Sequence, residues 1–202
     1  MSGADSVKVV LLGEAGVGKT SIIHQFTYHQ FDPDCISSIS AQFISKTIEY
    51  KGYGAIKYDI WDTAGQERYR SVSTIFYKEA YLCVFVYDIT EPKSFENIKN
   101  YWYNTVMENS SENIILGIAG NKNDLYEKEK VKDKEVQKYC KEIDALHFST
   151  SALLNNSIDD MFIKLGKKFI ASKTFENLWS KIIGNESRKL SSKNIKKKKS
   201  FC

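Results

Sequence analysis

Eight consecutive residues near the N-terminus have the composition of a loop that wraps around phosphate groups. The run Gly13-Glu14-Ala15-Gly16-Val17-Gly18-Lys19-Thr20 matches G-x-x-x-x-G-K-[ST], between an apolar run and a helical pattern as the motif requires. Its glycines let the backbone curl until successive N–H groups point inward and hold an anion. Lys19 can reach the β- and γ-phosphates of a nucleotide, and the Thr20 hydroxyl can bind Mg²⁺. The sequence therefore predicts a nucleotide-binding loop formed by Ala15, Gly16, Val17, Gly18, Lys19, Thr20 and Ser21.

A second polar motif, Asn121-Lys122-Asn123-Asp124, follows the apolar run 114–119 and so lies at the carboxyl end of a predicted strand. An aspartate there can accept two parallel N–H bonds from the N1–H and 2-amino groups of guanine. Adenine has neither donor, and a stranded buried polar group costs about 1–3 kcal/mol. N-K-x-D alone is a short match for which a solvated polar loop is the default interpretation. Its position behind a phosphate loop favours guanine recognition.

Six apolar runs and four helical patterns must position these two motifs. Strand-like runs cover 7–12, 43–50, 55–61, 81–89, 114–119 and 145–148, and helical patterns cover 19–26, 92–107, 134–143 and a stretch from Ser157. The turn 51–54 fits a hairpin. Ser157 and Asp160 match a capping box, and the last helix has one apolar face: Ile158, Met161, Phe162, Leu165 and Phe169. This alternation predicts an α/β fold with right-handed crossovers, in which ligands bind beyond the carboxyl ends of the strands.

Further motifs carry a family resemblance over roughly residues 6–172. The run Trp61-Asp62-Thr63-Ala64-Gly65-Gln66-Glu67-Arg68-Tyr69-Arg70-Ser71 resembles the second switch of Ras-like small GTPases in its Rab version. Residues 76–80 and 85–90 are similar to two other Rab hallmarks, and residues 149–152 resemble the last base-contacting loop. The resemblance implies a P-loop NTPase of Ras type. Such a fold has a six-stranded, mostly parallel sheet with one antiparallel edge strand and about five flanking helices.

The resemblance also implies a role for each matching residue. Asp62 would hold the Mg²⁺ shell, the Gly65 N–H would meet the γ-phosphate, and Gln66 would orient the attacking water. Asn121 and Asp124 would read the base. The other implied contacts to GTP or GDP are Phe31, Asp32, Ser38, Lys122, Ser151, Ala152 and Leu153, and the implied Mg²⁺ ligands are Thr20, Ser38 and Asp62.

Three positions depart from the family pattern. In the first switch Ser38 stands in the place of a threonine, which keeps the hydroxyl for Mg²⁺ but loses the β-branch that stiffens the side chain. Neighbouring Ser37 leaves that register open. Leu153 replaces a lysine beside the base, and it can cover the purine without a charge. Ala15 lies in a loop position close to Gln66, where its methyl group is expected to slow hydrolysis.

The chain has 202 residues and a net charge of +4, but its charge is unevenly distributed. Residues 181–202 carry a net +7, whereas residues 1–180 carry a net −3. A mildly acidic body disfavours a nucleic-acid-binding face. Four scattered cysteines indicate neither a disulfide framework nor a zinc site, and no apolar run has the roughly 20 residues of a membrane helix. These features indicate a cytoplasmic protein.

The C-terminal segment 173–202 is predicted to be a tail that follows a GTPase domain of residues 1–172. Its first part has a helical apolar stripe, 175, 178, 179, 182 and 183, which fits either a second helix folded back on the domain or a segment facing a partner or membrane. The tail ends in a lysine block and Cys202. A solvated charge run is one interpretation; the other, from the Rab resemblance, is geranylgeranylation of Cys202 assisted by attraction of the lysines to anionic lipid. The ending is neither C-a-a-X nor the double cysteine usual in Rabs.

Three hypotheses follow for the whole protein. The first is a monomeric Rab-type GTPase that hydrolyses GTP slowly and switches vesicle traffic at the cytosolic face of an endomembrane. The resemblance implies as partners effectors, an exchange factor, a GTPase-activating protein and a GDP-dissociation inhibitor or escort protein. The second is a GTP-binding scaffold with little or no hydrolysis, which Gln66 disfavours and Ala15 and Ser38 mildly favour. The third, an ATP-using P-loop kinase, conflicts with Asn121 and Asp124.

Overall fold

The computed structural model describes residues 6–33, 42–62, 78–110 and 113–177, and within these ranges six strands form one sheet. The strands are β1 (Ser6–Leu12), β2 (Gln42–Tyr50), β3 (Gly54–Asp62), β4 (Leu82–Asp88), β5 (Ile115–Asn121) and β6 (Leu146–Ser149). Their order is β2-β3-β1-β4-β5-β6, with β2 antiparallel to β3 and every other pair parallel. The predicted mixed sheet and the β2–β3 hairpin are therefore confirmed.

Helices cover both faces of this sheet. They are α1 (Lys19–Tyr28), α2 (Pro92–Asn97), α3 (Tyr103–Asn109), α4 (Asp133–Glu142) and α5 (Ile158–Ile170). A π-helical turn, Ile98–Trp102, joins α2 to α3, and a short 3₁₀ helix, Asn123–Lys128, follows β5. Pro92 occupies the first turn of α2, where its missing N–H costs nothing.

The alternation of side chains along β1 explains the two-sided core. Val7, Val9 and Leu11 pack with α1 and α5, whereas Val10 and Leu12 pack with the helices on the opposite face. Because a parallel strand in the middle of the sheet is covered on both sides, β1 and β4 are almost continuously apolar. This arrangement brings the carboxyl ends of β1, β4 and β5 to one edge of the sheet.

The capping box expected at Ser157 and Asp160 is wrong, although the helix that it was expected to begin is present. Ser157 has a left-handed backbone conformation (φ 58°) and its side chain does not cap the helix. Its hydroxyl donates instead to Asn156 Oδ1 at 3.1 Å. A capping serine needs an extended backbone to turn its oxygen toward the first helical amides. The five apolar residues predicted on one face of α5 are all buried, as expected.

The chain beyond α5 continues as helix at residues 173–177 and returns to the domain. Phe175 is only 4% exposed, with its ring centroid 5.6 Å from that of Phe169 and 5.9 Å from that of Tyr53. At this residue the structure favours the folded-back interpretation of the apolar stripe. The remaining stripe positions, 178, 179, 182 and 183, lie outside the described residues, as does Cys202.

Candidate nucleotide-binding site

The phosphate loop connects β1 to α1 and depends on two glycines that lie against other parts of the protein. Gly18 has φ 96°, and a Cβ on it would collide with the side-chain amide of Asn121. Gly13 has φ 150°, and a Cβ there would collide with the carbonyl oxygen of Val86 in β4. Both positions therefore need glycine for backbone conformation and for space.

The Lys19 side chain lies inside the phosphate loop and bonds to its backbone. Its Nζ donates hydrogen bonds of 2.9 Å to the carbonyl oxygens of both Gly13 and Glu14, and the residue is 4% exposed. Burial lowers the pKa of Lys19 to about 8, although the carboxylates of Asp62 and Glu14 act in the opposite direction. The ammonium group thus lies inside the curl of the loop, where the phosphates of a nucleotide are predicted to bind.

Two oxygen ligands lie together beside this loop. The Thr20 hydroxyl donates to Asp62 Oδ2 at 2.6 Å, and Asp62 is buried at the end of β3. Among the described residues, no cluster of three or more His, Cys, Asp or Glu side chains could hold a metal ion. A hydroxyl and a carboxylate next to a phosphate site nevertheless fit Mg²⁺, which binds few protein ligands and completes its shell with water and substrate phosphate oxygens.

The predicted base-reading motif lies at the end of β5. Asp124 Oδ1 accepts a hydrogen bond of 2.5 Å from the Ser151 hydroxyl, which orients the carboxylate. Lys122 has a left-handed backbone conformation (φ 64°), and its Nζ lies 2.7 Å from Asp88 Oδ2 on β4. Desolvation would raise the pKa of Asp88, but the Lys122 contact and two hydrogen bonds from Thr90 hold it below the usual value. The structure therefore brings the motif and the 151–153 loop together.

Asn121 joins three segments of the site rather than facing solvent. It is 1% exposed, and its Nδ2 donates to the Val17 carbonyl at 2.9 Å. Its Oδ1 accepts from the Ala152 N–H at 3.2 Å and from the Thr150 hydroxyl at 3.4 Å. The phosphate loop and the 150–152 segment are thus held to the end of β5 by one side-chain amide.

The other predicted site residues differ in solvent exposure, and three of them lie outside the described residues. Phe31 and Asp32 are exposed beyond the end of α1, and Leu153 is exposed beside the buried Ala152. In the phosphate loop, Ala15 and Gly16 are exposed and Val17 is buried. Ser38, Gly65 and Gln66 lie outside the described residues, so their roles remain predictions.

Two side chains that the sequence motifs do not include also contact this site. Gln25 on α1 donates from Nε2 to the Ala152 carbonyl at 2.9 Å, and the Trp102 indole N–H donates to Glu14 Oε1 at 3.2 Å. The signal for Gln25 is a polar residue three positions after the buried Ile22 and next to the buried Phe26, on the inner side of α1. Nothing in the sequence predicts the Trp102 contact, because it depends on the π-helical turn.

The fold and this site together define a P-loop GTPase. A family model described as Ras family matches residues 8–171. The chain is 40% identical over 166 residues to the Ras-related protein RabJ of Dictyostelium discoideum, an alignment that covers 82% of this chain and 64% of RabJ. It is 38% identical to human Rab-22A (80% and 82% covered) and 38% identical to rat Rab-13 (81% and 79% covered). The chain therefore belongs to the Ras family of small GTPases, with relatives of the Rab type.

Proposed function

We propose that this protein is a Rab-type switch that alternates between GTP-bound and GDP-bound states in intracellular membrane traffic. The observation that carries the proposal is the joined geometry of the site. The phosphate loop, the N-K-x-D motif and the 150–152 segment are held together by Asn121. Guanine selectivity is assigned to Asp124, whose carboxylate is oriented by Ser151.

In this proposal the protein acts by positioning and by neutralising charge. Lys19 and the loop amides bind the β- and γ-phosphates, Gln66 orients the attacking water, and the Gly65 N–H contacts the γ-phosphate. Thr20, Ser38 and Asp62 would hold Mg²⁺, which when bound supplies charge neutralisation to the phosphate oxygens. Unassisted turnover is expected to be slow, and an arginine from an activating protein is expected to add about 10³–10⁵-fold.

The switch itself is proposed to be ordering of residues 31–43 and 62–79 by the γ-phosphate, followed by their release on hydrolysis. Effectors would bind the surface that includes Phe43, Trp61 and Tyr77. Phe43 is half exposed, and its ring contacts that of Trp61 edge to face, with centroids 5.2 Å apart. Tyr77 lies outside the described residues.

Membrane attachment is assigned to the tail of residues 173–202, through a prenyl group on Cys202 and the lysine block. No helix within the described ranges combines the length and apolarity needed to span a bilayer. A single lipid chain binds membranes only marginally, so the basic residues supply a second signal. Intact mass after expression with Rab prenylating machinery tests this assignment, and an unmodified mass would remove it.

Single-turnover hydrolysis separates the switch from the scaffold alternative. Purified protein loaded with GTP is expected to release phosphate slowly alone and much faster with a GTPase-activating protein active on Rabs. Gln66→Leu should abolish both rates without preventing GTP binding. Competition by ATP for the loaded site would contradict guanine selectivity. GTP binding without hydrolysis, both with and without the GTPase-activating protein, would favour the scaffold, which Ala15 and Ser38 mildly support.

A further inference from the structure

Gln25 connects the helix that follows the phosphate loop to the loop beside the base. It lies on α1, six residues after Lys19, and its Nε2 donates a 2.9 Å hydrogen bond to the carbonyl oxygen of Ala152, 127 residues further along the chain. Both residues are buried, with Gln25 5% exposed. A buried bond of this length between distant segments constrains their separation.

Both backbone polar groups of Ala152 are hydrogen-bonded to side chains from other elements of the fold. Its N–H donates to Asn121 Oδ1 at 3.2 Å, and its carbonyl accepts from Gln25. Asn121 belongs to the end of β5, whereas Gln25 belongs to α1, the helix that begins with Lys19 and Thr20. The loop beside the base is therefore tied both to the base-reading strand and to the phosphate-binding helix.

A glutamine at this position contributes little to the stability of the fold itself. Gln25 lies on the buried side of α1 with Ile22 and Phe26, where an apolar side chain would pack as well. Its Oε1 is buried and accepts no hydrogen bond from the described residues. The free-energy cost of burying this unpaired amide oxygen offsets much of the stability that the Nε2 hydrogen bond contributes to the fold. The side chain is thus better explained by what it positions than by packing.

We propose that Gln25 is a positioning residue for nucleotide retention, acting through the carbonyl of Ala152. It keeps the base-side loop at a fixed distance from the helix that carries Lys19 and Thr20. A single bound nucleotide can then contact the phosphate loop and the base-side loop at the same time. Loss of the bond lets the loop move away from the base and speeds release, whereas the groups around the γ-phosphate stay in place. The proposal rests on the nucleotide site proposed above.

The test compares GDP release from the full chain and from Gln25→Met, which keeps the length of the side chain but removes the N–H donor. Release of a fluorescent GDP analogue, chased with excess unlabelled GDP at fixed Mg²⁺, is expected to be about tenfold faster in the variant, as one lost hydrogen bond allows. Single-turnover hydrolysis of bound GTP is expected to change less than twofold. Gln137→Met makes the same chemical change on the exposed face of α4 and should leave both rates unchanged.

Amide hydrogen exchange distinguishes positioning from general loosening. In Gln25→Met loaded with GDP, exchange should increase in residues 150–154 and stay unchanged in residues 44–60 of the β2–β3 hairpin. Gln25→Leu, which also removes the donor and leaves no polar atom to bond Ala152, should release GDP at least as fast as the methionine variant. Parent-like release in both variants, or exchange that increases throughout the domain, would overturn the role of Gln25. Failure of the parent to retain GDP would instead overturn the proposed function.

Discussion

The side-chain amide of Asn121 donates a 2.9 Å hydrogen bond to the carbonyl oxygen of Val17 and so joins the end of β5 to the middle of the phosphate loop. The contact also explains why Gly18 can carry no side chain, because a Cβ there would meet the same amide. A residue of the base-reading motif therefore determines the shape of the loop at the other end of the nucleotide.

GDP should dissociate about 30- to 150-fold faster from Asn121→Ala than from the parent, since two or three buried hydrogen bonds of roughly 1 kcal/mol each are lost together. Stopped-flow release of a fluorescent GDP analogue measures the effect. Asn123→Ala is the matched control, because the side chain of Asn123 donates a hydrogen bond to the exposed Ser149 hydroxyl and alanine keeps the backbone bond to Thr150. Equal release from both variants would contradict the linking role.

Trp102→Phe should weaken nucleotide retention about fivefold, because it removes the indole N–H that orients the Glu14 carboxylate beside Lys19. The same release assay applies. Glu14→Ala should have a similar effect, and combining the two changes should add nothing further, since both remove one interaction. Additive effects would show that the two residues act separately. Glu14→Gln keeps an oxygen acceptor and is expected to stay near the parent.

Gly166→Ala should lower the free energy of unfolding by about 1–3 kcal/mol, the usual cost of overpacking a core. A methyl group on Gly166 of α5 would collide with the hydroxyl groups of Tyr50 and Tyr58, which bond to each other at 2.7 Å. Urea unfolding at one fixed GDP concentration measures the change. Lys167→Ala, on the exposed side of the same helix, should shift the midpoint little. Equal midpoints would refute the steric argument.

Phe175→Ala should destabilise the protein by about 3 kcal/mol, as expected for a large aromatic side chain removed from a core. The ring packs between Phe169 and Tyr53, so its loss also detaches the segment after α5 from the β2–β3 hairpin. Urea unfolding at fixed GDP is again the measurement. Tyr28→Ala removes an aromatic ring that is half exposed and should cost much less. Comparable losses would mean that Phe175 is not a core residue.

Acid should destabilise the protein through His147. Burial lowers the pKa of His147 below its usual value, and the Asp133 carboxylate 3.5 Å away only partly opposes this shift. Between the lowered pKa and the ordinary value near 6.5, the unfolded chain binds more protons than the folded one. Stability should therefore fall as the pH drops below about 6.5.

Urea midpoints between pH 7.5 and 5.5 test this effect, and His147→Gln should flatten the dependence. His29→Asn is the control, since His29 is exposed and asparagine suits its left-handed backbone conformation. A parent and a His147→Gln variant with identical pH profiles would show that another group is responsible.

Local patterns predicted much of this structure, and long-range contacts account for what they missed. The β2–β3 hairpin and the phosphate loop follow from short stretches whose residue types dictate backbone conformation. The bonds from Gln25 to Ala152 and from Trp102 to Glu14 join residues 127 and 88 positions apart, so no local pattern encodes them. The capping box at Ser157 failed for a related reason: its residue types were right, but the preceding turn sets a left-handed φ there.

The π-helical turn Ile98–Trp102 makes the contact with Glu14 sensitive to chain length. Such a turn closes on bonds from residue i to i+5 and holds one residue more than an α-helical turn. Deleting one residue from it would restore regular α winding without turning α3, because five residues of a π turn and four of an α turn advance the chain by nearly the same angle. The side chains within the turn, Trp102 among them, would shift, whereas α3 would keep its buried face. One residue could thus be gained or lost at this point with an effect confined to the turn and its contact with Glu14.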